Sequence, residues 1–175
     1  MLFAEKEISK NVAEYVLYLW QMEDMLRALN FDIVRVEQLL LSSADIDDVT
    51  RRRELTRYQL LITEMRDEGL LETGHLSKSL KLMADLHYLH QNLLLVKKDK
   101  NYQQIVEEAQ PFIQEFTTKS GQRRLTEVEV CFNALYGLLL LRLKKEPINP
   151  STQEAMDSFS KMLAYLAAKY KTVTT

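Results

Sequence analysis

The chain has 175 residues, of which 46% are hydrophobic and 27% charged, a composition that suits a folded protein with a real core and is too apolar for a disordered chain. Only 4 Gly and 3 Pro are present, which nearly excludes a β-sandwich or barrel, because its many turns need those residues. The formal charge of -2 gives no overall field that would attract nucleic acid or an acidic membrane. We therefore expect one helical domain over residues 1–175 that binds neither nucleic acid nor membranes.

The cysteine content and the first residues both favour a cytoplasmic location. Cys131 is the single cysteine and lies between Val130 and Phe132, so it is expected to pack as a small buried hydrophobe and has no partner for a disulfide within the chain. Residues 1–7 become charged after four positions and lack the apolar core of a signal peptide. The most apolar stretch, 130–141, is well short of the ~20 residues that cross a bilayer.

Apolar residues repeat every three or four positions almost throughout the chain, which is the period of amphipathic helices. The pattern predicts an all-α fold, a single-domain bundle of six or seven mostly antiparallel helices. The predicted helices cover approximately residues 9–30, 32–41, 44–69, 76–97, 101–118, 126–145 and 151–170.

Several helix ends have recognisable signals. Asn30 is expected to close the first helix in the left-handed geometry that Asn tolerates, and Ser42–Ser43 is expected to cap the third. Thr126 and Glu129 form a capping box at the start of the sixth helix. Pro111 is expected to interrupt and bend the fifth.

The fourth and sixth predicted helices are apolar on more than one face. In the fourth, a stripe that contains Leu86 is accompanied by Leu80 about 120° away, which places this helix in the middle of the bundle. The sixth has little polar surface and is expected to be the most buried element. Leu86 and Leu139 are expected to be fully buried.

Sequence signatures of catalysis are missing. There is no Gly-rich phosphate loop, no Ser elbow, no Cys-x-x-Cys and no pair of Glu-x-x-His motifs. A nucleophile also needs a base at helical spacing or across an interface, and no usable set is evident. We therefore expect a protein that is not an enzyme, and we predict no cofactor.

His87 and His90 are the strongest candidates for a metal site, since residues three apart on a helix point the same way. Zinc or iron requires at least a third protein ligand, which this helix does not offer locally. The favoured interpretation is therefore two histidines packed at the edge of a central helix, with a metal site as the alternative. His75, next to Gly74, is expected to be an exposed turn residue.

Two further residues of the first helix are unusual. Glu23 projects into the apolar arc, where a carboxylate must be paired or protonated; a pair with Arg27 is favoured over a ligand or catalytic role. Trp20 lies on the other side with Leu17. The two form either a contact with a second layer of helices or a partner surface, such as the contact of a dimer.

Four stretches together resemble a known family. They are residues 11–24, Glu68–Gly69 with Gly74–Leu76, residues 131–137 and residues 167–170. In this order they resemble a domain-of-unknown-function family of small all-helical bacterial proteins, and the resemblance covers nearly the whole chain. It implies a helical bacterial protein without an assigned activity, so it transfers no site residue.

Two functional classes follow from these observations. The first is a non-enzymatic interaction or scaffold protein that forms a homo-oligomer or binds a protein partner. The second is a small-ligand- or metal-binding bundle, supported by His87, His90 and Glu23. A nucleic-acid regulator is a more distant third, because residues 64–71 resemble a helix-turn-helix boundary but the next helix has few residues suited to contact bases.

Overall fold

The computed structural model of the protein describes residues 11–42, 46–121 and 124–174. Within these ranges all regular structure is helical and no strand occurs, which confirms the all-α prediction. The seven α-helices are α1 (Val12–Ala28), α2 (Ile33–Val36), α3 (Asp48–Asp67), α4 (Ser77–Gln91), α5 (Lys100–Ser120), α6 (Glu127–Leu143) and α7 (Pro150–Thr174). Short π-helical segments extend α2 over Glu37–Leu41 and α4 over Asn92–Val96.

Local hydrogen bonds explain where the helices begin. The Asn11 side chain accepts from the N–H groups of Ala13 and Glu14 at the start of α1. The capping box of α6 is present, because Thr126 accepts from the Glu129 N–H while the Glu129 carboxylate accepts from the Thr126 N–H. These side chains satisfy donors that the first turn of a helix leaves unpaired.

Two predicted features of the helices differ in the structure, and a third is confirmed. α3 begins at Asp48 rather than near residue 44, because Asp47 supplies the cap by accepting from the Thr50 N–H at 2.6 Å; Ser42 ends the preceding π-helical segment, and Ser43 lies outside the described residues. α5 continues through Pro111 without interruption. The chain after α1 has Asn30 in the left-handed region, as predicted, and Phe31 as well.

Two hydrophobic cores share α1. The larger core unites one side of α1 with α4, α5, α6 and α7. The smaller core unites the other side of α1 with α2 and α3. α1 accordingly buries ten of its 17 residues, against six of 17 in α6.

The predicted burial of the fourth and sixth helices therefore needs correction. α1, and not α4 or α6, lies between two layers of helices, and it has the largest fraction of buried residues. Leu80 is 48% exposed, so the second apolar stripe predicted for α4 is incomplete. Leu86 is fully buried, as predicted, whereas Leu139 is only half-buried.

The second half of α6 has less cover than its sequence suggests. Leu141 and Leu143 are exposed, and Leu139 and Leu140 are half-buried. A concave surface borders the second half of α6 on each side. None of the described helices combines the length and apolar character that a bilayer crossing requires.

Candidate functional site

An apolar groove lies between the second half of α5, the second half of α6 and the first part of α7. Its volume is about 540 Å³, within the range of roughly 300–1,000 Å³ typical of small-molecule sites. We call it the α6 groove. It is lined by Phe112, Glu115, Phe116, Lys119, Ala134, Gly137, Leu138, Leu140, Leu141, Lys144, Asn149, Ser151, Thr152, Ala155, Met156 and Phe159.

Gly137 contributes space to the α6 groove. It lies in the middle of α6, and a Cβ atom added there would meet no atom of the described part of the chain within 4 Å, apart from its own neighbours and the nearby backbone of α6. Glycine inside a helix is less favourable than alanine by about 0.5–1 kcal/mol. No close backbone contact or positive φ accounts for glycine at this position, so its structural effect is the open volume above it.

The directions of the helices give the groove a polar end and an apolar end. α5 is antiparallel to α7, since Glu108 pairs with Lys161 and Asp99 with Lys169. α6 is also antiparallel to α7, because Arg142 contacts Gln153 while Cys131 contacts Met162. The last turns of α5 and α6 therefore lie beside the first turn of α7. Lys119, Lys144, Ser151 and Thr152 lie at that end, whereas Phe112 and Phe159 lie towards the other; Phe116 is one turn before Lys119.

A second concave surface of about 470 Å³ lies on the opposite side of the α6–α7 pair, against α1. Leu138 and Met156 line both surfaces and separate them. Leu17, predicted as a partner residue, is half-buried in the wall of this second surface. It is not beside an exposed Trp20, so the predicted two-residue patch is not formed.

His90 connects three helices through buried polar contacts. Its side chain is 5% exposed, its Nε2 is 3.0 Å from Glu127 Oε2, and its Nδ1 is 2.8 Å from the Tyr102 hydroxyl. The ring of His87 stacks on it with centroids 5.8 Å apart, and His87 Nδ1 is buried without a hydrogen-bond partner among the residues that the structure describes. The hydrogen bond with His90 holds the pKa of the Glu127 carboxyl below its ordinary value, although burial opposes this.

The hydrogen bonds of His90 argue against a metal site that includes this residue. His90 engages both ring nitrogens with Glu127 and Tyr102, and Glu23 lies in a different cluster. Among the described residues, no group of three or more His, Cys, Asp or Glu side chains is placed to hold a metal ion. The structure thus brings His87 and His90 together and separates them from Glu23.

We expect the Glu127→Gln variant to be less stable than the wild type by about 1–2 kcal/mol between pH 5 and 7, because it loses a charge-assisted hydrogen bond. The lowered pKa of Glu127 stabilises the fold above the unfolded value of about 4.3. This contribution disappears as the pH falls through the folded pKa, so the two proteins should converge in acid. Urea unfolding at several pH values measures the difference.

Glu107→Gln is the matched control for this experiment, because Glu107 is exposed on α5. Its difference from the wild type should stay within about 0.5 kcal/mol at every pH. A Glu127→Gln penalty that persisted unchanged into acid would contradict the assigned hydrogen bond.

Glu23 is completely buried and binds the loop between α3 and α4. Its Oε2 is 2.7 Å from His75 Nδ1, and its Oε1 accepts from the Leu76 N–H at 3.2 Å. The predicted pair with Arg27 is wrong. Arg27 instead binds Asp24 and donates to the carbonyls of Leu70 and Gly74. It reaches both carbonyls because the loop folds back over α1.

His75 is also placed differently from the prediction. Its side chain is 27% exposed, and its ring stacks on that of Trp20 with centroids 4.0 Å apart and planes 13° from parallel. Positive φ values at Gly69 and Gly74 allow the loop to return towards α1. The sequence shows an acidic residue in the apolar arc of α1 and a histidine in a Gly-containing turn. Their spacing along the chain does not predict that the two side chains are in contact.

Trp20 is a core residue and not part of a surface. It is 2% exposed, donates from Nε1 to Ser79 Oγ at 3.3 Å and contacts the rings of Phe132 and Tyr136. The alternative in which Trp20 and Leu17 form a dimer contact is therefore overturned for Trp20. Packing against a second layer of helices, the other interpretation, is what the structure shows.

The cluster around Glu23 has limited chemical capacity. The carboxylate and imidazole form an acid–base pair, and Trp20, which stacks on the imidazole, donates to the hydroxyl of Ser79. Ser79 is fully buried, donates to the Leu76 carbonyl and accepts from Trp20. Its hydrogen bonds hold it as a structural group, so the arrangement fixes the loop to α1 and does not resemble an activated nucleophile.

Comparison with known proteins agrees with the family resemblance. The family described as Domain of unknown function (DUF4924) matches residues 1–175. No curated protein and no solved structure matches the chain. Three of the stretches that carry the resemblance meet in one place, where Trp20 and Glu23 contact His75, and Tyr136 contacts Trp20. Because the match extends over all 175 residues, the chain belongs to the DUF4924 family.

Proposed function

We propose that the protein is a non-enzymatic binding protein whose α6 groove takes a small, largely apolar ligand. The observation that carries this proposal is the second half of α6. A helix that is hydrophobic on all sides normally lies inside a protein, but within the described residues the side chains around Leu140 and Leu141 remain partly uncovered. A bound apolar ligand would provide the missing cover.

The lining of the groove favours binding over catalysis. Its ionisable residues are Glu115, Lys119 and Lys144, and its lining includes no histidine or cysteine. Most of the remaining lining is aliphatic or aromatic, which is typical of small-molecule pockets that fix a ligand through a few polar groups. The two histidine clusters described above lie outside this lining.

Gly137→Leu tests the proposal, because the new side chain enters the open space above α6. We expect the variant to fold with unchanged or higher stability, since helix propensity improves by up to about 1 kcal/mol. Its affinity for the neutral apolar probe N-phenyl-1-naphthylamine should fall at least about tenfold, because the leucine occupies space in the groove and keeps about two carbons of the probe from being buried, at about 0.8 kcal/mol each. Probe fluorescence measures binding, and thermal melts followed by circular dichroism measure stability.

Gln114→Leu is the matched control, because it adds an exposed leucine to α5 outside the lining of the groove. This variant should bind the probe as the wild type does. If Gly137→Leu folded normally and bound the probe with wild-type affinity, the α6 groove would not be the binding site and the proposal would be wrong.

The interaction or scaffold function, with a homo-oligomer or protein partner, remains a second proposal. It is supported by Tyr88, Leu95 and Val96, which are 71–72% exposed near the end of α4. Size-exclusion chromatography with light scattering measures the oligomeric state.

The bacterial source and the cytoplasmic location also stay predictions. The cytoplasmic location is supported by Cys131, the single cysteine, which is buried as a free thiol and whose pKa is raised by burial.

A further inference from the structure

We propose that the ligand of the α6 groove is a straight-chain carboxylic acid of about eight to twelve carbons, with its tail at the aromatic end and its carboxylate beside Lys144. This inference rests on the proposed function, because it requires the groove to be a binding site. It adds the chemical class of the ligand and the direction in which it lies.

The polarity of the groove changes along the helix axes. Phe112 and Phe159 line one end. Ser151, Thr152 and Lys144 line the other, where α6 ends and α7 begins. A ligand that matches this lining is apolar over most of its length and polar at one terminus only.

The length of the groove sets the length of the tail. From Thr152 to Phe159 on α7 the lining spans seven residues, about 10 Å at 1.5 Å per residue. From Ala134 to Lys144 on α6 it spans ten residues, about 15 Å. With C–C bonds of about 1.5 Å, an extended alkyl chain advances about 1.25 Å per carbon. About eight to twelve carbons therefore fill the groove from end to end.

The charges at the polar end favour an acid. Glu115 pairs with Lys119, so these two lining charges largely offset each other. Lys144 makes no ion pair with a described residue and leaves one positive charge at this end. The N-terminus of α7 adds the positive end of a helix dipole, but the C-termini of α5 and α6 add two negative ends at the same place. Asn149 also already accepts from the Thr152 N–H there, so the preference for an acid rests on the charge of Lys144. A carboxylate is thus favoured over a hydroxyl, and a hydroxyl over an ammonium group.

Competition between ligands with the same ten-carbon tail tests this order. Decanoate, decanol and decyltrimethylammonium displace N-phenyl-1-naphthylamine from the wild type, and the concentration for half displacement is measured. We expect decanoate to act at a concentration about two- to fivefold lower than decanol, the effect of one solvent-accessible charge pair. Decyltrimethylammonium should be the weakest competitor. Lys144→Gln should remove the preference for decanoate.

Lys145→Gln is the matched control, since it removes a neighbouring exposed charge that does not line the groove. It should keep the wild-type preference. Equal displacement by decanoate and decanol in the wild type would overturn the carboxylate, while leaving the groove as an apolar site. A preference that survives Lys144→Gln would place the head group elsewhere and would also overturn the inference. Failure of Gly137→Leu to weaken probe binding would instead remove the proposed function itself.

Discussion

Replacing Trp20 by alanine is expected to lower the free energy of unfolding by about 3–5 kcal/mol. Trp20 is among the largest fully buried side chains, and its ring contacts His75, Phe132 and Tyr136. The substitution removes these contacts, leaves a cavity beside the loop that Glu23 holds, and deletes the hydrogen bond to Ser79. Trp20→Phe should cost less, because it retains an aromatic ring in the same place.

Urea unfolding followed by far-ultraviolet circular dichroism is the appropriate measurement. Trp20 is the only tryptophan, so the variant loses the usual fluorescence signal. Tyr88→Ala serves as the control, because Tyr88 is 71% exposed and its removal should change stability by no more than about 0.5 kcal/mol. A Trp20→Ala protein with nearly wild-type stability would show that this residue does not belong to the core.

Leu86→Ala and Leu139→Ala form the second informative comparison. Leu86 has no exposed surface and lies in the larger core, so its truncation should cost about 2–5 kcal/mol through lost burial and a new cavity. Leu139 is half-buried beside the second concave surface. Its truncation enlarges a space that is already open to solvent and should cost less than about 1.5 kcal/mol.

Thermal or urea unfolding of the two variants measures this difference directly. Both proteins carry the same leucine-to-alanine change in a helix, so the contribution of helix propensity is closely matched. Equal losses of stability at the two positions would mean that the second half of α6 is as well covered as α4. In that case the second concave surface, which Leu139 lines, would be occupied or closed in solution.

The helices and several of their ends could be predicted from the sequence because their causes are local. The three-to-four spacing marks a helix, and the capping box at Thr126 and Glu129 involves residues three apart. The start of α3 was predicted at the wrong cap, Ser42–Ser43, because serine and aspartate cap helices equally well and the pattern does not show where the preceding helix ends. The structure selects Asp47, whose carboxylate accepts from the Thr50 N–H.

The partner of Glu23 could not be predicted, because it depends on the path of a loop. His75 is 52 positions away in the chain, whereas Arg27 is one helical turn away. Spacing along a helix favours the near residue, and only the return of the chain at Gly69 and Gly74 brings the distant one into contact. The same loop covers Trp20. The helical pattern alone did not decide whether Trp20 is a core residue or a surface residue.

The α6 groove likewise could not be predicted from the sequence pattern. A run such as Leu138–Leu141 indicates that all sides of a helix avoid water, but it does not identify what covers them. The cover depends on how α5 and α7 pack beside the end of α6. The most apolar helix was therefore assigned the deepest burial, although its second half borders two open surfaces.

The position of α1 between two cores has a consequence for synthesis on the ribosome. The smaller core needs only α1 to α3 and the start of α4, so its residues emerge together and its contacts are close in sequence. The larger core joins Val12 and Val16 to side chains of α7, such as Leu163 and Leu166, roughly 150 positions later. One side of α1 therefore completes its native contacts only after α7 has been synthesised, although α4 can cover part of it earlier. During that interval this side of α1 is an incompletely covered apolar surface that is open to chaperones or to misassembly.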